Sequence, residues 1–321
     1  SMNRRPLPGI SCMKPRKQEK GRDMQMRNWT NVFLAAALLA ALVLSAPAIG
    51  FAEPAHKEHV EAPGVRHLVV EDQNAPIDLL PSKDENTRIE YKETRFIRYE
   101  IAREGDTLRV IMHDSRKWYN FIGFQDSGRR LLVFVPESLT DASLGTSNAS
   151  ITVEASRGFA SLDLKSSNGK LSLTGATLSG PSRFETSNSG ITLKDAVFQG
   201  HLTLETSNGE LSLEDVRLNT ADIRTSNSRI SLKDVDAEGS LDAATTNGGI
   251  YPSRLSTRAG RLTLSASNGP VEGIINAPRN LFAITSTTSN ADNNLPTSWP
   301  GGPAGLDVST SNGRINIEFV D

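Results

Sequence analysis

The side chains able to do chemistry are few, and their spacing sorts them quickly. Five histidines stand at 56, 59, 67, 113 and 201. His56 and His59 are three apart, which on a helix would place both on one face, but two ligands in a polar stretch with no further partner fall short of a metal site. His67, His113 and His201 are scattered. Asp195, Asp215 and Asp234 recur at nearly constant spacing. Like charges repeated in that way must cap turns, pair with cations or hold an ion such as calcium. Turn capping ahead of Ala196, Val216 and Val235 is the preferred reading, with the three aspartates kept as metal candidates. Trp118, Tyr119, Phe121 and Phe124 form the densest aromatic cluster of the sequence. They can cover the end of a core, or stack on sugar rings or a partner with Arg116 and Lys117 at the rim. The sequence has no G-x-S-x-G, zinc or phosphate-loop signature. Its one cysteine, Cys12, lies near the start, so the rest offers no thiol nucleophile and no disulfide. No cofactor is implied.

What must position these groups is a repeat. The phrase Thr206-Ser207-Asn208-Gly209 has echoes whose asparagines are Asn148, Asn168, Asn188, Asn208, Asn227, Asn247, Asn268, Asn290 and Asn312. Their spacings are 20, 20, 20, 19, 20, 21, 22 and 22. A period in this range over so many copies predicts a solenoid. Each copy carries apolar pairs in fixed register: Leu202/Leu204 before Asn208, Leu211/Leu213 after it, then Val216/Leu218. Period-two alternation predicts strands with one buried face, and Asn-Gly or Asn-Ser steps tolerate the left-handed backbone of a turn. The expected fold is all-β, a right-handed parallel β-solenoid (β-helix) of about ten ~20-residue coils stacked at the ordinary strand spacing. Thr186, Thr206, Thr225, Thr245 and Thr310 share the parity of the leucines and should face inward. The stacked asparagines should bond amide to amide from coil to coil. The Thr-Ser-Asn phrase is therefore read as structural.

Residues 1–52 read as a basic leader and signal peptide. Arg4, Arg5, Lys14 and further basic residues precede the apolar run Val32–Ala46, followed by the small-x-small sites Ala46-Pro47-Ala48 and Gly50-Phe51-Ala52. An uncleaved anchor is the alternative. Residues 53–66 read as a polar linker and 67–321 as the solenoid, with a capping insertion at 80–145 and irregular loops at 273–305. Leu68, Val70, Asn74, Ile77 and Leu79 fit the coil template as a degenerate first turn. Phe96–Ile101 and Leu108–Met112 flank a predicted hairpin turn at Arg103–Asp106. The final coil, Leu306–Val320, is expected to be an uncovered end. Residues 1–52 hold 8 of the 35 basic and 2 of the 37 acidic residues, so the remainder carries 27 against 35, a net of −8. That balance argues against nucleic acid and against an anionic membrane as partners.

The repeated x-L-x-T-S-N-G-x-I-x-L pattern, with Arg130–Pro136 leading into Leu144–Asn148, resembles the bacterial adhesin-type β-repeat families of unknown function that include the GIN-head type. The resemblance spans about residues 64–321 and implies an exported β-solenoid without catalytic residues to carry over. The expectation is a non-catalytic scaffold in the periplasm or at the cell surface that binds a cell-surface, envelope or glycan partner. Membrane contact would come only through an uncleaved leader. Two alternatives remain: a polysaccharide lyase or hydrolase on the same fold, and a structural protein that self-associates end to end through its C-terminal coil.

Overall fold

Because side chains of one strand parity are apolar in every coil, each coil buries its pair only by stacking on the next. The computed structural model describes residues 55–116, 128–155 and 158–320, all within the unit Ala52–Asp321. In it, Ile151, Leu171, Ile191, Leu211, Ile230, Ile250, Val271 and Ile315 lie one above another in parallel register. On the side before the asparagine, Leu144, Leu164, Phe184, Leu204, Ile223, Ala243, Leu264 and Val308 do the same. These side chains are buried and form one continuous core. The result is an all-β solenoid of about eight full turns, with a partial turn at each end.

Corners are made in two ways. At the Thr-Ser-Asn corner the threonines point inward as expected, with Thr186 only 2% exposed. The hydroxyls of Thr186, Thr206, Thr225, Thr245 and Thr310 each donate to a carbonyl of the neighbouring turn. Thr206 Oγ1 donates to the Ser189 carbonyl at 2.9 Å and accepts the Gly209 N–H at 3.1 Å. The asparagines form the expected ladder, each Nδ2 donating to the Oδ1 of the turn below at 2.7–2.8 Å. The glycines here do not use a left-handed backbone, contrary to expectation. They are small because the turns approach closely: a Cβ on Gly209 would sit 1.7 Å from the Ser189 carbonyl oxygen.

The left-handed corner lies seven residues further on. Asp195, Asp215 and Asp234 have φ of 51°, 54° and 52°, and Gly175 and Arg254 occupy the same place at 78° and 61°. This conformation is costly for most L-residues but cheap for glycine and tolerable for aspartate. Backbone geometry, rather than Asx capping, therefore explains the aspartate row. From one Thr-Ser-Asn corner to the next the chain stays extended apart from this single residue, so Ile191–Thr206, Leu211–Thr225 and Ile230–Thr245 are each one strand bent at its aspartate.

At the N-terminal end, residues 55–61, read above as linker, form β1 (Ala55–Glu61). It is followed by β2 (His67–Glu71), β3 (Ile77–Pro81), β4 (Thr87–Glu93), β5 (Ile97–Glu104), β6 (Thr107–Asp114), β7 (Leu131–Val135), β8 (Asp141–Thr146) and β9 (Ile151–Glu154). The first turn, β2–Asn74–β3, stacks directly on β8 and β9. The intervening residues fold over its other edge. β6 pairs parallel with β2 and β7 with β3, then antiparallel β5 closes one side and β4 and β1 the other. β5 and β6 form the predicted hairpin about Gly105.

The C-terminal end departs from the expected order. Strand Ala304–Ser309 pairs with Arg261–Ala266 on one edge and with Phe282–Thr287 on the other. Asn312 accordingly bonds Asn268, and Asn290 bonds Asn312. The coil expected to be the uncovered end is thus the penultimate turn, and the segment before it in sequence lies outside it. Ser298–Trp299 adds an antiparallel strand over Phe282–Thr287. Residues 292–295 cover Ile315–Phe319, where the Asn294 side chain accepts the Ile317 N–H at 3.0 Å and donates to its carbonyl at 2.9 Å.

Candidate binding face

Stacking turns about 4.8 Å apart turns any outward position into a row. The serine or threonine just before each ladder asparagine is such a position, and Ser187, Ser207, Ser226, Thr246, Ser267 and Ser311 are exposed along one corner. Beside them runs the row Glu185, Glu205, Arg224, Ala244, Ser265 and Ser309. The two rows line an open trough of about 760 Å³ that follows the long axis from Glu185 to the Ser289 and Ser311 turns. Its lining shifts from ionic at one end to hydroxyl-rich at the other. The bordering charges are already paired: Glu185 lies 3.5 Å from Lys165 and 3.4 Å from Arg183, and Arg183 also meets Glu205. Arg224 Nη2 lies 2.8 Å from Asp242. From sequence alone the Thr-Ser-Asn phrase reads as structural. The serine's outward parity, opposite to that of its threonine, was the signal that could have identified the trough.

The residues singled out from sequence do not converge. Asp195, Asp215 and Asp234 flank a second, smaller groove of about 300 Å³ with Asp236 and Arg217. Asp234 is taken by the Arg254 guanidinium, which holds its carboxyl below the usual aspartate value. Among the described residues no group of three or more acidic, histidine or cysteine side chains is arranged to hold a metal. His56 and His59 lie on strand β1 rather than a helix, where a separation of three puts them on opposite faces, and His59 Nε2 is 3.2 Å from Glu61. Trp118, Tyr119, Phe121 and Phe124 lie outside the described residues, as does the leader.

Among the described residues, His67, Asp141 and Ser161 lie close together. His67 Nδ1 is 3.1 Å from Asp141, but Ser161 Oγ donates to the same carboxylate at 2.5 Å. The hydroxyl is bound to the acid and not to the imidazole, so the order required for a Ser–His–Asp relay is missing. His113 faces Glu100, and His201 faces Thr220 and Asp222.

A buried group that the sequence reading missed sits at the first turn. Asp72 occupies the place held by threonine in later turns, and its Oδ1 accepts the N–H groups of Gln73, Asn74 and Ala75 at 2.7–2.8 Å. Its charge is met by Arg129 at 3.1 Å, and Tyr99 Oη donates to Oδ2 at 2.5 Å. Arg129 and Tyr99 both belong to the covering segment, so this pair fastens the N-terminal end to the column.

No functionally curated protein matches the chain. Among solved structures, an adhesin candidate from Bacteroides fragilis shares 14% identity, covers 82% of this chain and 97% of its own, and superposes with a TM-score of 0.39. A candidate lipid-binding protein from Parabacteroides distasonis shares 13%, with 82% and 96% covered and a TM-score of 0.37. A cell-adhesion candidate from Clostridium sporogenes shares 8%, with 83% and 100% covered and a TM-score of 0.20. None superposes closely enough to inform the site. The family described as Toastrack DUF4097 matches residues 65–318, from just before the first turn to the last strand of the column. The chain therefore belongs to the Toastrack DUF4097 family.

Proposed function

We propose that the protein is an exported, non-catalytic scaffold that binds an extended, uncharged polysaccharide of the envelope or cell surface along the hydroxyl trough. The observation that carries this reading is the trough's continuity. Exposed hydroxyls repeat from turn to turn over roughly 30 Å at the ordinary strand spacing. They offer donors and acceptors to a linear chain and no closed pocket for a small molecule. The paired state of Glu185, Glu205 and Arg224 supports a binding role over glycan cleavage, which requires one carboxyl group free to protonate and a second facing it. Export rests on the basic and apolar character of residues 1–52.

The test is a glycan-array and cell-surface binding assay comparing the full chain with a Ser207→Trp/Ser226→Trp variant. Two indoles in the trough should weaken binding at least about tenfold, or roughly 1.4 kcal/mol, while circular dichroism and the melting temperature stay unchanged. Equal binding by a folded variant would remove the trough from the function.

A further inference from the structure

The described turns contain five Asn-Gly steps, at Asn168, Asn208, Asn247, Asn268 and Asn312. Asn-Gly is the step most prone to deamidation, because glycine leaves its backbone nitrogen unhindered for attack on the asparagine side chain. In four of them that nitrogen is restrained. The Gly169 N–H donates to Ser166 Oγ at 2.8 Å, and those of Gly209, Gly248 and Gly313 donate to Thr206, Thr245 and Thr310 Oγ1 at 3.1, 3.2 and 3.0 Å. A nitrogen held in this way gives up its hydrogen bond before it can react. The fifth step has Ala266 at the corresponding position, and a methyl group accepts nothing.

We propose that Asn268 is a deamidation site of the folded protein, selected because Ala266 leaves the Gly269 nitrogen without the hydroxyl that restrains the other four. In the reaction, hydroxide removes the Gly269 amide proton and the nitrogen attacks Cγ of Asn268. A C–N bond closes a five-membered imide, and the side-chain nitrogen leaves as ammonia after taking a proton from water. Water then opens either imide carbonyl, giving aspartate or isoaspartate. One water enters, one ammonia departs and nothing is oxidised or reduced.

The consequence is local and electrostatic. Asn268 donates to Asn247 Oδ1 at 2.8 Å and accepts from Asn312 at 2.7 Å. A carboxylate at position 268 still accepts from Asn312 but faces Asn247 oxygen to oxygen. The ladder breaks between those two turns and gains a negative charge. The break falls between the Asn247 and Asn268 turns, so only the Asn268 and Asn312 turns separate it from the segment that covers the C-terminal end.

The experiment incubates the full-length folded chain at mildly alkaline pH in heavy-oxygen water, then follows each Asn-Gly peptide by mass spectrometry. Asn268 should convert about tenfold faster than Asn208 or Asn247, the ratio that one ordinary hydrogen bond of ~1.4 kcal/mol supplies. Ala266→Thr should bring Asn268 down to the rate of the other steps, and in denaturant all five should converge. Equal rates at Asn268 and Asn208 in the folded chain, or an unchanged Asn268 rate in a folded Ala266→Thr variant, would overturn the proposal.

Discussion

Asp215 shows how a charged row can arise without a charged ligand. Its backbone sits at φ 54° in the corner between two extended runs, beneath Asp234 at 52° and above Asp195 at 51°. A β-branched residue in that conformation meets the following carbonyl, at about 1–2 kcal/mol. Glycine meets no such clash. Asp215→Val should therefore lower stability by that amount while Asp215→Gly leaves it nearly unchanged, as read from the urea midpoint. If the two variants unfold together, the row exists for its charge and the conformational explanation fails. The sequence shows the recurrence of these aspartates plainly, but residue type alone does not reveal which corner is left-handed. Asparagine, glycine and aspartate all tolerate that region, and the Asn-Gly corner drew the expectation away from the Asp corner. The threonines and asparagines were legible for a different reason. Their roles follow from parity and repetition, which survive without coordinates.

Strand β1 is the element the sequence hid most completely. Five of its seven residues are exposed and none is fully buried, so it has no apolar face for a period-two pattern to reveal. Backbone pairing with β4 and the Glu61–Arg103 and Glu58–Arg88 ion pairs help to hold it, and its one contact with a buried carboxylate is through Lys57. Glu93 receives Lys57 Nζ from β1 at 2.7 Å, Arg98 Nη1 at 2.9 Å and the Tyr99 N–H at 2.9 Å. Burial pushes its carboxyl upward, but the bonds from Lys57, Tyr99 and Arg98 outweigh this and leave it below the ordinary glutamate value of 4.5. A group depressed in the folded state contributes stability that is present above its unfolded value and lost as pH falls through the folded one. β1 should accordingly stay protected from hydrogen exchange above pH 4.5 and lose protection below it, before the central turns do. Glu93→Gln should flatten that pH dependence. Loss of protection in β1 at the same pH in wild type and variant would place the acid-sensitive contact elsewhere.

At the scale of the whole column, the two ends obey one rule: the chain overshoots and a segment is laid outside the regular edge. β6 and β7 do this below the first turn, and Phe282–Thr287 with residues 292–295 does it beyond the Asn312 turn. The repeat made the column and its register legible, down to the degenerate turn at Asn74. It could not give the order of the final turns, because spacings of 22 and 22 fit either stacking of Asn290 and Asn312. The difference is decided by Pro296, Pro300 and the Gly301-Gly302 pair, which let the intervening residues double back, and by Asn294, whose amide replaces a neighbouring strand. Unpaired strand edges invite another chain, so this closure argues against end-to-end assembly through the C-terminal coil. A chain ending at Ala277 would keep strands Arg261–Ala266 and Val271–Ile275 but expose their outer backbone groups and the flank of Leu262, Leu264 and Val271. Sedimentation velocity should show the truncated chain associating progressively with concentration while the intact chain does not grow into linear species. Linear assembly by the intact chain, or a truncated chain that stays monomeric and as stable, would mean that the outer segment does not act as a closure.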